Sequence, residues 1–525
     1  MDLPLIPTIA LLILLTILIY RFLIHPIFLS PLSRAPNAHW TSSISPAWIL
    51  YHRLLQRDTP AVHSAHQKHG PVVRLAPNEL SLNCVEGGIR TIYAGGYEKG
   101  DWYSNVFSNY GVQPMFAMPE HGAHSRRKRM LSNIYAKSVL QGSEAVAGIS
   151  GVLLEERLVG RLRGIVGMGQ NGSEVYDLFS AITMDFVSAY VFGLGNGSDF
   201  LRKPEVARKF LKDYKARQDF TFWPQEMPGF TGFMKRSGLL DLIVPVWVAQ
   251  ANKDIEDWIL SMCDAAESSI ASTESGSEKI ESPANYPTVY AQLRSSLLKE
   301  ASKSSSDIST SQFVQANRLE MASEMLDHVL AGFDTSGITL TWLAWELSRP
   351  CNAAWQEKLR SEITSLKGNK DAKAIDSLPV LHACLMETLR LHAAIPGNQP
   401  RVTPPSATLG PLTDLPAGIR VQSQAWSLHR NPAVFPEPES WRPERWIEAS
   451  AEMSRWFWAF GSGGRMCVGS NLAMLEMKNV MVALWGRFRT SVVEDGGMVH
   501  NGGYLAEPVG REGRYLVLRI EEVAS

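Results

Sequence analysis

Ten residues near the C-terminal end, Phe460-Gly-Ser-Gly-Gly-Arg-Met-Cys467-Val-Gly469, restrict the fold more than any other stretch of the chain. Glycine reaches backbone conformations and contact distances closed to other residues, so a loop this rich in it can turn tightly and pass close to a large flat object. Cys467 then offers a sulfur ligand, Phe460 a ring to shield it, and Arg465 a cation for an anionic edge. A haem satisfies all three. The plain alternative is a buried thiol, since free cysteine is among the most buried residue types.

Further upstream, Leu319 to Ser348 reads as one uninterrupted helix, with Leu326, Val329, Leu330, Phe333 and Leu340 at helical spacing and Pro350 after its end. Within it, Ala331-Gly332-Phe-Asp334-Thr335-Ser sets a glycine and an acid–alcohol pair on an otherwise core-like face. Read by itself, the pair could be an exposed Asp334 and a Thr335 bonded back to the carbonyl one turn earlier. Glu387 and Arg390 share a face of another predicted helix and can pair. Pro443-Glu-Arg445-Trp446 follows them. His124 and Lys128 stand one helical turn apart in the basic run His124-Ser-Arg-Arg-Lys-Arg129.

No charged residue occurs from Leu3 to Tyr20, a length that suits one membrane crossing better than a cleaved signal segment. Arg21 and Arg34 follow the span, which points the rest of the chain to the cytosol. Pro26, Pro31 and Pro36 then predict a stiff, non-helical lead. Residues 1–24 are therefore expected as an anchor, 25–45 as a linker and 46–525 as the catalytic domain, with 268–311 as a flexible serine-rich insertion. Gly70 to Leu82 should contain a strand hairpin. Lys plus Arg number 51 against 52 Asp plus Glu, so no global charge argues for a nucleic-acid partner. The five cysteines form no CxxC pair, which argues against a zinc site or a disulfide framework.

Taken in order, these motifs resemble the cytochrome P-450 family, most closely the microsomal type of fungal secondary metabolism. The resemblance implies a mainly α fold with small β-sheets (α+β), preceded by one transmembrane helix. It implies haem b with Cys467 as axial thiolate, held by the Phe460 loop, and propionate contacts from His124, Lys128, Arg401 and Arg465. Ala331 and Gly332 would line the oxygen pocket, with Asp334 and Thr335 delivering protons to dioxygen. Glu387, Arg390 and Arg445 would form a buried support, with Trp446 in place of the commoner Phe. His429 would be structural rather than a ligand.

The implied activity is monooxygenation of a lipophilic organic molecule, with electrons from NADPH through cytochrome P-450 reductase and a possible contribution from cytochrome b5. The implied location is the endoplasmic reticulum membrane, single-pass, facing the cytosol. The rivals are a peroxide-driven or isomerising haem-thiolate enzyme, a non-catalytic membrane-bound haem protein, and a single-pass scaffold without haem. The substrate pocket is expected around Trp102 to Phe116, Phe220 to Phe230, the segment before Asp334, Ile395 to Gln399 and Tyr504.

Overall fold

The computed structural model describes residues 5–169, 172–277, 279–303 and 309–523. The first four residues of the expected anchor and residues 304–308 of the expected insertion lie outside the described residues.

Helix α1 (Leu5–Ile19) does not stop before the prolines, but continues in wider π-type turns from Tyr20 to Leu29. Pro7–Leu29 is 23 residues long and apolar, and its most apolar stretch packs against no other part of the protein, Pro26 near its end being buried. At 1.5 Å per residue it extends roughly 35 Å, enough to cross a hydrocarbon layer of about 30 Å. The expected boundary at residue 24 is therefore wrong. Proline takes one donor out of the helical ladder and crowds a carbonyl behind it, and the wider turns absorb that misfit. Ser30 N bonds to His25 O at 2.8 Å, and the Pro26 carbonyl accepts Arg74 Nη1 at 2.7 Å. A buried arginine thus ties the end of the long helix to the body of the protein. Pro31–Arg34 adds a tight turn capped by Ser30, so irregular backbone is confined to residues 35–46.

The helices that position the site are α2 (His121–Leu131), α3 (Tyr176–Phe192), α4 (Pro204–Gln218), α5 (Val246–Glu274), α6 (Thr288–Lys303), α7 (Arg318–Ser348), α8 (Pro379–Leu391) and α9 (Ser470–Trp485). The 31-residue α7 crosses the molecule as expected and packs on α3, which is buried on almost every side. A helix without a solvent face must satisfy its own polar groups. Thr183 Oγ1 donates to Phe333 O at 2.8 Å, and the Asp185 carboxylate accepts the backbone N–H groups of Phe200 and Leu201 at 2.7 and 2.9 Å.

The segment 268–311 is not a flexible insertion over most of its length. It contains the end of α5 and all of α6, whose Val289, Leu293 and Leu297 recur every four residues and are buried. Arg294 pairs with Glu267 and Glu274 at 2.9 and 2.8 Å, fastening α6 to α5. The serine-rich composition concealed a narrow apolar stripe.

The strands are β1 (Val72–Ala76), β2 (Glu79–Leu82), β3 (Ser173–Glu174), β4 (Arg401–Val402), β5 (Ala407–Leu409), β6 (Leu412–Leu415), β7 (Arg420–Gln422), β8 (Phe488–Glu494) and β9 (Val517–Glu522). They form three small sheets, of order β1-β2-β7-β4, β3-β9-β8 and β5-β6. The expected hairpin is β1 against β2, and β4 and β7 add the strand that carries Arg401.

Candidate functional site

The glycine loop closes on itself: Cys467 N donates to Phe460 O at 3.0 Å. Gly461 and Gly463 hold φ values of 68° and 70°, and a Cβ on Gly463 would meet Tyr93 O at 2.2 Å. Only glycine permits that conformation at that approach. Cys467 sits just ahead of α9, where the N–H groups of Gly469 and Ser470 point at its sulfur and, with Lys128, favour the thiolate. Burial is the stronger influence and pushes the thiol pKa up. The side chain is nevertheless accessible. Both observations hold if the sulfur opens onto an enclosed hollow rather than the outer surface.

Around that hollow the chain gathers cations that have no counter-ion. Arg401 donates to Tyr103 Oη at 2.9 Å, Arg465 to the carbonyls of Met118 and Pro119 at 2.6 Å each, and Lys99 to Phe116 O at 2.5 Å. Among the described residues none of the three has a carboxylate within ion-pair distance. Burial and Arg401 lower the Arg465 pKa to about 10. Burial, Arg401 and Arg465 push Lys99 well down. His124, buried beside Arg465 and Lys99, falls to about 3 and is neutral. Buried charge of one sign is unfavourable unless something neutralises it, and an anionic edge of two carboxylates answers the need. The residues present therefore fit a haem with its propionates among these side chains.

Lys99 was not foreseen, since nothing in Tyr97-Glu-Lys99-Gly distinguishes it from a surface lysine. Lys128, expected on a propionate, instead donates to Gly464 O at 2.9 Å and Met466 O at 3.1 Å. It clamps the cysteine loop from α2. Arg127 turns inward to Glu320 and Glu324, leaving Arg126 and Arg129 exposed on that helix.

In the support behind the loop the Glu387 carboxylate is fully satisfied, while Arg445 keeps one buried donor, Nη2, without a partner. Glu387 Oε1 accepts Arg390 Nη2 at 2.7 Å, Arg445 Nε at 3.0 Å and Arg442 N at 2.9 Å. Its Oε2 accepts Arg390 Nε and the Trp446 indole N–H, both at 2.8 Å. Trp446 thus contributes a hydrogen bond, a role beyond the aromatic one expected of it. Arg390 spends its remaining donors on the carbonyls of His429, Pro438 and Ser440. His429 bonds Arg390 O through Nδ1 at 2.8 Å and accepts Trp458 N at Nε2 at 2.7 Å, which assigns the neutral Nδ1–H tautomer. It is structural, as expected.

On the other wall, α7 is buried for most of its length yet exposes Ala331 and half-exposes Thr335 at mid-helix. Both line a cavity of about 270 Å³. Thr335 Oγ1 bonds back to Ala331 O at 2.9 Å. Asp334 is buried rather than exposed: Tyr214 Oη donates to it at 3.2 Å, and burial raises its pKa against the opposing pull of nearby Lys215. Gly332 needs correcting. A Cβ there would meet Val187 Cγ2 at 2.6 Å, so its small size admits α3 rather than dioxygen. Each of the five expected pocket stretches reaches the cavity, through residues such as Trp102, Phe222, Leu330, Ile395 and Tyr504. The polar share of the lining, which includes Arg53, Asp327 and Glu507, was not expected. Lys99 lies against the ring of Phe116 at 3.8 Å, and Phe116 lines this cavity, so the cation cluster adjoins the cavity wall.

The family model for Cytochrome P450 matches residues 43–501. The chain is 29% identical over 442 residues, 80% of its length and 95% of the relative's, to the cytochrome P450 monooxygenase avaI of Aspergillus versicolor. It is 27% identical over 478 residues, 90% of this chain and 88% of the relative, to the cytochrome P450 monooxygenase orf2 of Aspergillus niger. To the tryprostatin B 6-hydroxylase of Aspergillus fumigatus it is 25% identical over 485 residues, covering 89% of this chain and 76% of the relative. A thiolate loop, an unneutralised cation cluster and a match across most of the chain agree, and the protein belongs to the cytochrome P450 family.

Proposed function

We propose that the protein is a membrane-anchored monooxygenase that inserts one oxygen atom of O2 into a largely lipophilic organic substrate within fungal secondary metabolism. The family is one of oxidoreductases that use haem with a cysteine thiolate, O2, and NADPH through a reductase. The observation that carries the reading is the pairing of an accessible Cys467 with a cluster of unneutralised cations, Lys99, Arg401 and Arg465.

In this reading Cys467 holds the haem iron, with Gly469 and Ser470 N–H stabilising the sulfur's charge. Arg401, Arg465 and Lys99 hold the acidic edge, and His124 packs beside them. Haem with an axial thiolate supplies the electron donation that favours O–O cleavage. Thr335 Oγ1, released from Ala331 O, presents its hydroxyl proton to the cavity. Asp334, whose carboxyl pKa is raised by burial, stands behind it as the proton relay and accepts a hydrogen bond from Tyr214 Oη. Leu330, Phe222 and Ile395 exclude water and orient the substrate.

The apolar helix Pro7–Leu29 supports anchoring in the endoplasmic reticulum membrane with the body facing the cytosol. Arg21 lies inside that helix, near enough to its end for a long side chain to reach the interface. Reductase, and cytochrome b5 where it takes part, would dock on the Cys467 side, where Arg126 and Arg129 are exposed. The test is the dithionite-reduced carbonyl spectrum, followed by NADPH consumption with reductase and candidate substrates. A red-shifted thiolate band that Cys467→Ser abolishes supports the reading, and its absence from the wild-type protein overturns it.

A further inference from the structure

The cavity lined by Ala331 and Thr335 contains two carboxylates that the folded chain leaves unsatisfied. Asp327 lies one helical turn before Ala331 and lines the same space. Its carboxylate makes no hydrogen bond or ion pair with any described residue. Glu507 also lines the cavity, and its buried Oε2 has no partner. Asp334 and Glu226 in the same wall differ: Asp334 accepts Tyr214 Oη, and Glu226 holds Arg53 and Arg420 at 3.0 and 2.8 Å. The unsatisfied acids are therefore a local feature, not a general property of the pocket.

The same cavity is lined by a cluster of rings, one of which, Tyr504, feels the charge of Asp327. Trp102 lies 5.5 Å from Tyr504, and Phe107 lies 6.4 Å from each of them. All three line the cavity. Of the two groups whose charge favours ionised Asp327, Lys99 is engaged elsewhere, against the faces of Phe116 and Tyr103 at 3.8 and 4.0 Å and on Phe116 O, and His328 is hydrogen-bonded to Tyr135 Oη at 2.6 Å. Glu324 repels a charge at Asp327 while His328 and Lys99 oppose that, and burial lifts its pKa to about 7.

Resting on the oxygenase reading above, we propose that Asp327, with the rings of Trp102, Phe107 and Tyr504, binds the positively charged nitrogen of an amine-bearing substrate. Aromatic faces attract cations, most strongly where water is excluded. A carboxylate attracts a cationic nitrogen, with or without an N–H, more strongly in a cavity of low dielectric than in water. Anchored there, the amine sits one turn of α7 from Ala331, about 6 Å along the helix axis. That spacing sets which carbon of the substrate lies beside Thr335. The lipophilic remainder of the molecule fits the rest of the wall, so the substrate class becomes an amphipathic organic cation.

The test compares benzyltrimethylammonium with neopentylbenzene, its uncharged isostere of the same shape, on the full-length haem-loaded protein. A quaternary nitrogen cannot coordinate iron, so binding reports the cavity wall alone. The expected result is at least a tenfold tighter fit for the cation by calorimetry. Asp327→Asn should erase that preference and Asp327→Glu should keep most of it, while Glu507→Gln should retain it. Equal binding of the two probes by the wild-type protein overturns the proposal, as does a preference that survives Asp327→Asn or disappears in Glu507→Gln. The reduced carbonyl spectrum of the same preparation separates the two readings. A thiolate band without cation preference defeats this inference alone, and a missing band defeats the oxygenase reading beneath it.

Discussion

Glu387 is a fully buried acid and Asp327 a half-buried one on a cavity wall, and the protein treats them in opposite ways. Glu387 receives five hydrogen bonds, from Arg390, Arg442, Arg445 and Trp446. Asp327 receives none from any described residue. A buried polar group costs free energy unless it is satisfied. On the cysteine side the fold satisfies it fully, and the result is a fixed platform under the loop. On the α7 side the fold stops short, and the missing partners describe what the cavity is built to receive. The first region is finished by folding, the second by its ligand.

The largest expected effect breaks the platform at its functional end. Cys467→Ser should abolish NADPH-driven product formation and the thiolate band while leaving far-UV circular dichroism unchanged. Glu387→Gln comes next. It leaves Arg390 and Arg445 as uncompensated buried charges, which should cost about 3–5 kcal/mol and reduce haem retention, read by urea unfolding and by the Soret-to-protein absorbance ratio. Thr335→Val tests the unfinished wall. Removing a positioned proton donor should reduce product formed per NADPH consumed by about a hundredfold, with hydrogen peroxide appearing instead. If coupling is unchanged, Thr335 has only the backbone bond to Ala331 that the structure shows.

Trp446→Phe removes one donor from Glu387 and keeps the ring. It should cost about 1.5 kcal/mol, the low end for a hydrogen bond to a charged group. A further test concerns pH. Burial raises Glu507 from 4.5 to about 7, so below 4.5 both folded and unfolded states are protonated. As pH rises through that window the unfolded chain releases a proton that the folded one keeps, and stability falls until about pH 7. Glu507→Gln should therefore show a smaller drop in melting temperature between pH 5 and pH 8 than the wild type.

The hydrophobic period of α7, the glycines of the Cys467 loop and the hairpin at β1 and β2 were legible because local spacing encodes them. So were the Glu387, Arg390 and Arg445 partners, through a pattern of motifs kept in order along the chain. The α6 stripe was not, because Val289, Leu293 and Leu297 are diluted among serines. Nor was the course of the first helix, because local rules end a helix at Pro26, while the Pro26 carbonyl is held by Arg74, far along the chain. Gly332 was misread for a related reason, since its neighbour Val187 belongs to another helix.

The sequence by itself determined the kind of protein: a thiolate ligand in a glycine loop, an acid–alcohol pair in a long helix, and an apolar first segment. These are properties of neighbouring residues and survive being read in one dimension. Only the tertiary structure decided that Lys99 joins Arg401 and Arg465, that Lys128 clamps the loop, and that Asp327 lines a cavity with three rings and no hydrogen-bond partner among the described residues. Charge is felt through space over several ångströms, so whether an ionisable side chain is paired or left waiting depends on segments that meet only when the chain has folded.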